Sequence, residues 1–203
     1  MQELKSQSSE NSKNKQYVDI LIKFPHIDDN TTFQDLNDAV KAGDMIKSRL
    51  FMDKVMRTLN EKIYGHADCK SVIKDLICSW ILNPKKVGKA IALHGPPGVG
   101  KTLIAQALGD AIGIPFYNIP LNGMEDGAVL QGHSFTYSNA QPGTLVNAMC
   151  KTGKARCVIF FDEVDKTSKR HGINEIQNIL INLTDPNMND KFFDKFIQDV
   201  QFD

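Results

Sequence analysis

The sequence predicts an α/β fold, a parallel sheet sandwiched by helices and preceded by a helical segment. Three observations predict it. Residues 90–94 (Ala-Ile-Ala-Leu-His) form a short apolar run suited to a buried parallel strand. That run leads directly into Gly95-Pro96-Pro97-Gly98-Val99-Gly100-Lys101-Thr102, which fits G-x-x-x-x-G-K-[ST], and then into Leu103, Ile104, Ala107, Leu108, Ala111 and Ile112 at helical spacing. Further on, residues 157–161 (Cys-Val-Ile-Phe-Phe) make a second β-rich run that delivers Asp162 and Glu163 at its carboxyl end, the side of an open α/β sheet where ligands bind.

Each part of the first motif has a chemical reason. Glycines let backbone N–H groups turn inward around phosphate oxygens with no Cβ in the way. The N-terminus of the following helix adds partial positive charge at the same point. Lys101 supplies a compact cation for the β- and γ-phosphates, and the Thr102 hydroxyl is placed to ligate Mg²⁺. In the second motif Asp162 is placed to hold Mg²⁺, mostly through water, and Glu163 to orient and polarise the attacking water.

The remaining elements follow in order. Residues 1–16 are Ser, Gln, Asn, Lys and Glu with little that is apolar, so a disordered tail is expected. Residues 17–24 (Tyr-Val-Asp-Ile-Leu-Ile-Lys-Phe) predict a strand stopped by Pro25, the start of an N-terminal strand and helical linker over 17–62. Thr32 with Asp35 three residues later resembles a capping box that opens a helix through about Ala42, and Gly43 interrupts it. Phe51, Val55, Leu59 and Ile63 fall four apart and predict a second helix. Gly65 breaks it. A third helix over 66–82 carries Cys69, Val72, Ile73, Leu76, Ile77, Trp80 and Ile81 on one side, ended by Asn83-Pro84 and a basic loop over 85–89.

Beyond the phosphate loop and its helix, Gly113 marks a helix end and residues 115–119 predict a strand. Residues 120–143 form a long Gly-rich connection, a length that is usually functional. A helix over 143–152 precedes the acid-ended strand, and a polar loop over 166–172 follows it. The last helix spans about 174–184 with Ile176, Ile179, Leu180 and Leu183 inward, stopped by Asp185-Pro186, with a short strand at the final residues.

Composition narrows the function classes. The 203 residues suffice for one domain with a sizeable core. Lys+Arg and Asp+Glu both number 24, which gives no support for a nucleic-acid or membrane footprint. No run reaches transmembrane length and the N-terminus lacks a signal-peptide core, so a cytoplasmic setting is expected. Cys69, Cys78, Cys150 and Cys157 contain no C-x-x-C pair and are expected to be reduced, buried thiols. The five histidines lack metal-ligand spacing, so Mg²⁺ is the one metal expected.

With these residues in view, the chain resembles an AAA+ ATPase of the Lon protease type. Gly95 to Thr102 and Asp162-Glu163 match the family's Walker A and Walker B motifs. Gln131-Gly132-His133-Ser134-Phe135-Thr136-Tyr137, then Ala140-Gln141-Pro142-Gly143, resembles the G-H-R-R-T-Y…A-x-P-G stretch of Lon proteases, with Ser134 and Phe135 in place of the two basic residues and Ser138-Asn139 in place of an aliphatic-Gly pair. Phe161-Asp162-Glu163-Val164-Asp165-Lys166 resembles L-D-E-I-D-K. Leu183-Thr184-Asp185-Pro186, Phe193-Asp194, Asp199-Val200 and Phe202-Asp203 resemble L-D-P…F-x-D…D-V-P-F-D. Tyr64-Gly65 stands where the family has H-Y-G-L, with Ile63 for its His and His66 for its Leu. The resemblance covers roughly residues 52–203.

It implies ATP and Mg²⁺ as cofactors and an AAA+ nucleotide-binding domain over 63–203. The implied nucleotide-binding set is Tyr64, Gly65, Gly95, Pro96, Pro97, Gly98, Val99, Gly100, Lys101, Thr102 and Leu103, with Tyr64 against the adenine. Lys101 and Glu163 are the implied catalytic pair, Thr102 and Asp162 the metal pair, and Tyr137 the pore-loop residue that grips an unfolded polypeptide. A homohexameric ring is implied for the full-length protein. The sensor-1 strand, arginine finger, helical lid and Ser-Lys protease domain have no counterpart before Asp203, so a fragment truncated before the central sensor-1 strand is expected. In that topology residues 90–94 and the acid-ended strand do not pair directly. Two other readings stay open: a remodeller without a protease domain, and an assembly module that binds ATP without turning it over.

Overall fold

The computed structural model describes residues 2–26, 31–84, 90–137, 140–168, 173–185, 188 and 192–197, with side chains from residue 11 onward. The expected basic loop at 85–89, the Ser138-Asn139 pair, most of the polar loop's second half and the final strand lie outside the described residues. Helices α1 (Gln2–Lys23), α2 (Thr32–Lys41), α3 (Met45–Lys62), α4 (Ala67–Leu82) and α5 (Lys101–Ile112) precede strand β1 (Phe116–Pro120). Helices α6 (Ala128–Gln131) and α7 (Thr144–Thr152), strand β2 (Val158–Asp162), a 3-10 turn over Val164–Lys166 and helix α8 (Glu175–Thr184) complete the order. Two compact units result: one gathers Met1–His26, Asn118–Ala155 and Phe161–Asp203, the other Ile27–Tyr117 and Arg156–Phe160.

The sheet of the described residues has two strands, β1 beside β2. The Val158 N–H donates to Pro115 O at one end and the Leu121 N–H to Asp162 O at the other, at 2.8 and 2.9 Å. Both chains advance in the same sense between those bonds, so the pair is parallel. Residues 90–94, expected as a third strand, form no ladder, and Ile91 is exposed. An apolar run becomes a strand only when a partner strand takes up its N–H and C=O groups, and none of the described strands flanks this one.

The second unit is a helical core built on apolar stripes. Val55 and Leu59 are buried in α3 and Ile63 at its C-cap, and Ile73, Ile77, Trp80 and Ile81 in α4, packed with Phe33 and Leu36 of α2 and Ile104, Ala107, Leu108 and Ala111 of α5. Val72, expected inward, is exposed, because at 100° per residue it falls outside the stripe those four residues define. The cap of α2 is one residue earlier than expected: Thr31 precedes the helix, and its hydroxyl donates to Asp35 at 3.0 Å. Asp44 caps α3 by accepting the Ile46 N–H at 3.0 Å. Asn37 is buried and donates to Ile81 O and Leu82 O at 2.8 and 2.9 Å, which satisfies carbonyls at the end of α4. Gly109 lets α5 lie on the strands of this unit: a Cβ there would meet Ile114 O at 2.9 Å, with Phe116 and Val158 just beyond.

The first unit corrects the N-terminal expectations. In place of a disordered tail and a strand over 17–24, Gln2–Lys23 is one helix. No Gly or Pro interrupts residues 2–24. Tyr17, Ile20, Leu21 and Phe24 are also spaced i, i+3, i+4, i+7, a helical stripe hidden inside a run whose Val and Ile content suggests a strand. Ile20 and Phe24 are buried against Ala140, Val146, Phe196 and Ile197. The tertiary contact decides between the two periods. The long connection carries its own short helix, α6, and the helices predicted over 143–152 and about 174–184 are both present as α7 and α8, the latter capped by Asn174 accepting the Gln177 N–H at 3.0 Å.

Candidate nucleotide site

In the second unit the phosphate loop is shaped by two left-handed glycines, Gly98 at φ +80 and Gly100 at φ +85. A Cβ at Gly98 would meet nothing within 4 Å, so the conformation alone demands glycine there. Gly100 caps α5 and brings no side-chain acceptor for the first-turn N–H groups. These groups are the anion-binding end of the helix. The Lys101 ammonium donates to Gly95 O and Pro96 O, each at 3.0 Å, and so is folded back over the loop it serves. Thr102 and Leu103 are exposed on the first turn. A turn with glycine at its two left-handed positions, leading into a helix N-terminus with a cation folded over it, fits a polyphosphate.

Tyr64 and Gly65 sit at the corner between α3 and α4. Gly65 (φ +69) and His66 (φ +53) are consecutive left-handed residues, the second strained for a non-glycine. They turn the chain sharply and leave Tyr64 almost wholly exposed, at 99%. Lys70, which sequence reasoning missed, holds this corner. It is buried, and its ammonium donates to Ile63 O at 2.7 Å and Asn60 Oδ1 at 3.0 Å. A lysine on the apolar stripe of α4 was the available signal. Beside the corner lies an open depression of about 380 Å³ lined by Met56, Asn60, Gly65, Ala67, Lys70, Ser71 and Lys74, and no residue of the phosphate loop lines it.

In the first unit β2 ends at Asp162, and the chain then enters a left-handed turn at Glu163 (φ +56, ψ +42). A non-glycine in that region is held there by its surroundings. Asp162 Oδ1 accepts the Glu163 N–H at 3.0 Å, and the Lys166 N–H donates to Glu163 O at 2.9 Å. The Lys166 ammonium pairs with Glu163 Oε1, and that bond, with the charges of Asp165 and Asp162, raises the lysine's pKa. Both acids are half-buried at the strand's carboxyl end. In the second unit, burial pushes the thiol of Cys157, just before β2, up to about 11, which keeps it protonated and inert.

Tyr137, also in the first unit, follows a tight turn closed by its own N–H on Ser134 O at 3.0 Å, and its side chain is 66% exposed. Asp194, a second residue that sequence reasoning gave no role, is wholly buried below this loop. It accepts from the Gly143, Phe196 and Ile197 N–H groups at 2.7, 2.7 and 3.2 Å. Desolvation nevertheless outweighs those bonds and raises its pKa.

The profile of the ATPase family associated with various cellular activities (AAA) matches residues 91–197. The chain is 46% identical to a "Lon protease homolog" of Acanthamoeba polyphaga mimivirus over 95% of its length, and that match takes in 19% of the relative. It is 33% identical to a "Lon protease" of Malacoplasma penetrans (strain HF-2) over 97% of its length, and to a "Lon protease homolog, mitochondrial" of Drosophila melanogaster over 98%, covering 23% and 18% of those proteins. The chain thus spans about a fifth of the length of the curated relatives it matches.

Proposed function

This chain belongs to the AAA family of ATPases, and from that premise we propose that it binds and hydrolyses Mg-ATP as the motor part of a Lon-type protease, unfolding and translocating protein substrates. The observation that carries the reading is the phosphate loop itself. Two left-handed glycines, a helix N-terminus without a side-chain cap and a lysine poised over the turn are what a triphosphate requires.

In this reading the loop amides and Lys101 take the β- and γ-phosphate oxygens. Lys101 leaves the Gly95 and Pro96 carbonyls to do so, a low-cost exchange of neutral acceptors for charged ones. The Thr102 hydroxyl and Asp162 would hold Mg²⁺, which would supply positive charge to offset that of the phosphates. Glu163 accepts a proton from water as its oxygen attacks the γ-phosphorus in line. The bond from that phosphorus to the β,γ-bridging oxygen breaks, giving ADP and inorganic phosphate. Lys166 pairs with Oε1 of Glu163, and the carboxylate has further lone pairs with which to accept from the water.

Tyr64 and Gly65 are assigned to the adenine, Tyr137 to polypeptide grip, and the assembly to a homohexameric ring in a cytoplasm-like compartment. No described helix is long and apolar enough to cross a membrane. The names of the relatives favour a protease-linked motor over a free-standing remodeller. The test is nucleotide titration of Lys101→Ala in the full-length gene product. Affinity for Mg-ATP falls by about a hundredfold or more, the worth of charge-assisted bonds to phosphate. Unchanged affinity would remove the phosphate loop from the site.

A further inference from the structure

The loop that carries Tyr137 is closed at its neck. The His133 N–H donates to Gln141 O at 2.9 Å. A Cβ at Gly143 would come within 2.0 Å of Leu130 O, and one at Gly132 within 2.8 Å of the Gly143 amide nitrogen, so the two glycines are what let the two sides of the neck meet. Above the neck the loop presents two aromatics with opposite fates. Tyr137 faces outward, while Phe135 is half-buried.

Phe135 is seated on α1. Its ring lies 5.3 Å edge-on from Tyr17 and 5.6 Å from Phe196, and Tyr17 and Phe196 are 5.8 Å apart, which closes a triangle of rings. One turn earlier on the same helix, the Lys13 ammonium stands 4.8 Å from the Phe135 ring centroid and donates to Tyr137 O at 2.6 Å. One turn later, Ile20 and Phe24 are buried with Ala140 and Val146, residues on the return side of the loop and the helix after it. A single stripe of α1, running 13-17-20 and continued by Phe24 just past its end, is therefore committed to this loop from its tip to its base. These contacts bridge more than a hundred residues of sequence, and the ring at their centre stands where the resembled family has a basic residue.

We propose that α1 is a strut that positions the Tyr137 loop for an unfolded polypeptide, with Lys13 and Tyr17 as positioning residues and Phe135 as their seat. This rests on the reading of Tyr137 as a gripping residue. Fixing the loop before substrate arrives removes ordering entropy from the binding step, so the strut lowers the KM for polypeptide and leaves the chemistry on ATP untouched. It also makes α1 a lever, because a partner or segment that pulls the helix away releases the loop.

The experiment uses the full-length gene product and fluorescein-labelled casein as the unfolded polypeptide. ATP hydrolysis is followed with and without casein for the unaltered protein, Tyr17→Ala, Tyr17→Phe, Lys13→Met and Tyr137→Ala. Casein stimulates the unaltered protein. Tyr17→Ala raises the KM for casein by about threefold to tenfold, the scale of one aromatic pair, with basal hydrolysis unchanged. Tyr17→Phe keeps the ring and restores the original KM. Lys13→Met, at a side chain that leaves the core intact, raises KM in the same direction. If Tyr137→Ala removes casein stimulation while Tyr17→Ala and Lys13→Met leave KM unchanged, the strut is overturned and the gripping role stands. If Tyr137→Ala leaves stimulation unchanged, the gripping role fails and the strut with it.

Discussion

The loops 95–100 and 132–143 are both bounded by glycine, but they are built in opposite ways. The first is made locally. Its shape comes from the φ angles of Gly98 and Gly100, and its one side-chain tie, Lys101 to Gly95 and Pro96, spans five or six residues. The second is made at a distance. Its neck depends on Asp194, 51 residues beyond Gly143, and its tip on Lys13, 124 residues before Tyr137. In the proposed reading, the loop that accepts a ligand among its own amides is self-contained, and the loop that displays one side chain is braced from outside.

The same substitution at a glycine of each loop separates these designs. Gly143→Ala drives a Cβ into Leu130 O and costs about 3 kcal/mol of stability, at the upper end of overpacking, read as the shift in urea midpoint at constant slope. Removing the brace by Asp194→Ala leaves three buried N–H groups without their acceptor and costs about 2 kcal/mol in the same assay. Gly98→Ala meets no neighbour and pays only the left-handed strain, about 1 kcal/mol, yet in the proposed reading it puts a methyl in a loop whose amides take the phosphates. Its expected signature is a loss of Mg-ATP affinity out of proportion to the loss of stability. A Gly98→Ala variant with native affinity would break the comparison.

The smallest effect is on pH dependence. Burial raises the pKa of Asp194 above its ordinary 3.8, so the folded protein holds that proton more tightly than the unfolded chain. Its contribution to stability is fully present below 3.8 and is lost as pH rises through the raised value. Asp194→Asn cannot ionise. Its urea midpoint should therefore lack that decline when compared with the unaltered protein from about pH 4 upward.

The same division explains what the sequence made legible. The phosphate loop, the helix after it, both parallel strands and the Asp162-Glu163 terminus follow from short patterns whose physics is local. So do most helix stripes, because burial of Val55, Leu59 and Ile63 needs only a 3.6-residue period. What failed was decided by partners far along the chain. Residues 90–94 have strand composition but no strand beside them among the described residues, and residues 17–24 have strand composition but a helical stripe that finds Phe196 and Val146. Asp194 was invisible for a related reason, and Lys70 showed only its place on the apolar stripe of α4. A buried charge is recognisable only once the carbonyls or amides that satisfy it are in place.

The most direct test of the central claim is ATP binding and turnover by Glu163→Gln in the full-length gene product. The amide keeps the shape of the site and cannot take a proton from water. Mg-ATP should bind as tightly as to the unaltered protein while turnover falls on the order of a hundredfold to ten-thousandfold, the usual share of a general base. Hydrolysis at the unaltered rate would contradict the assignment of Glu163, and with it the account of this chain as an ATP-hydrolysing motor.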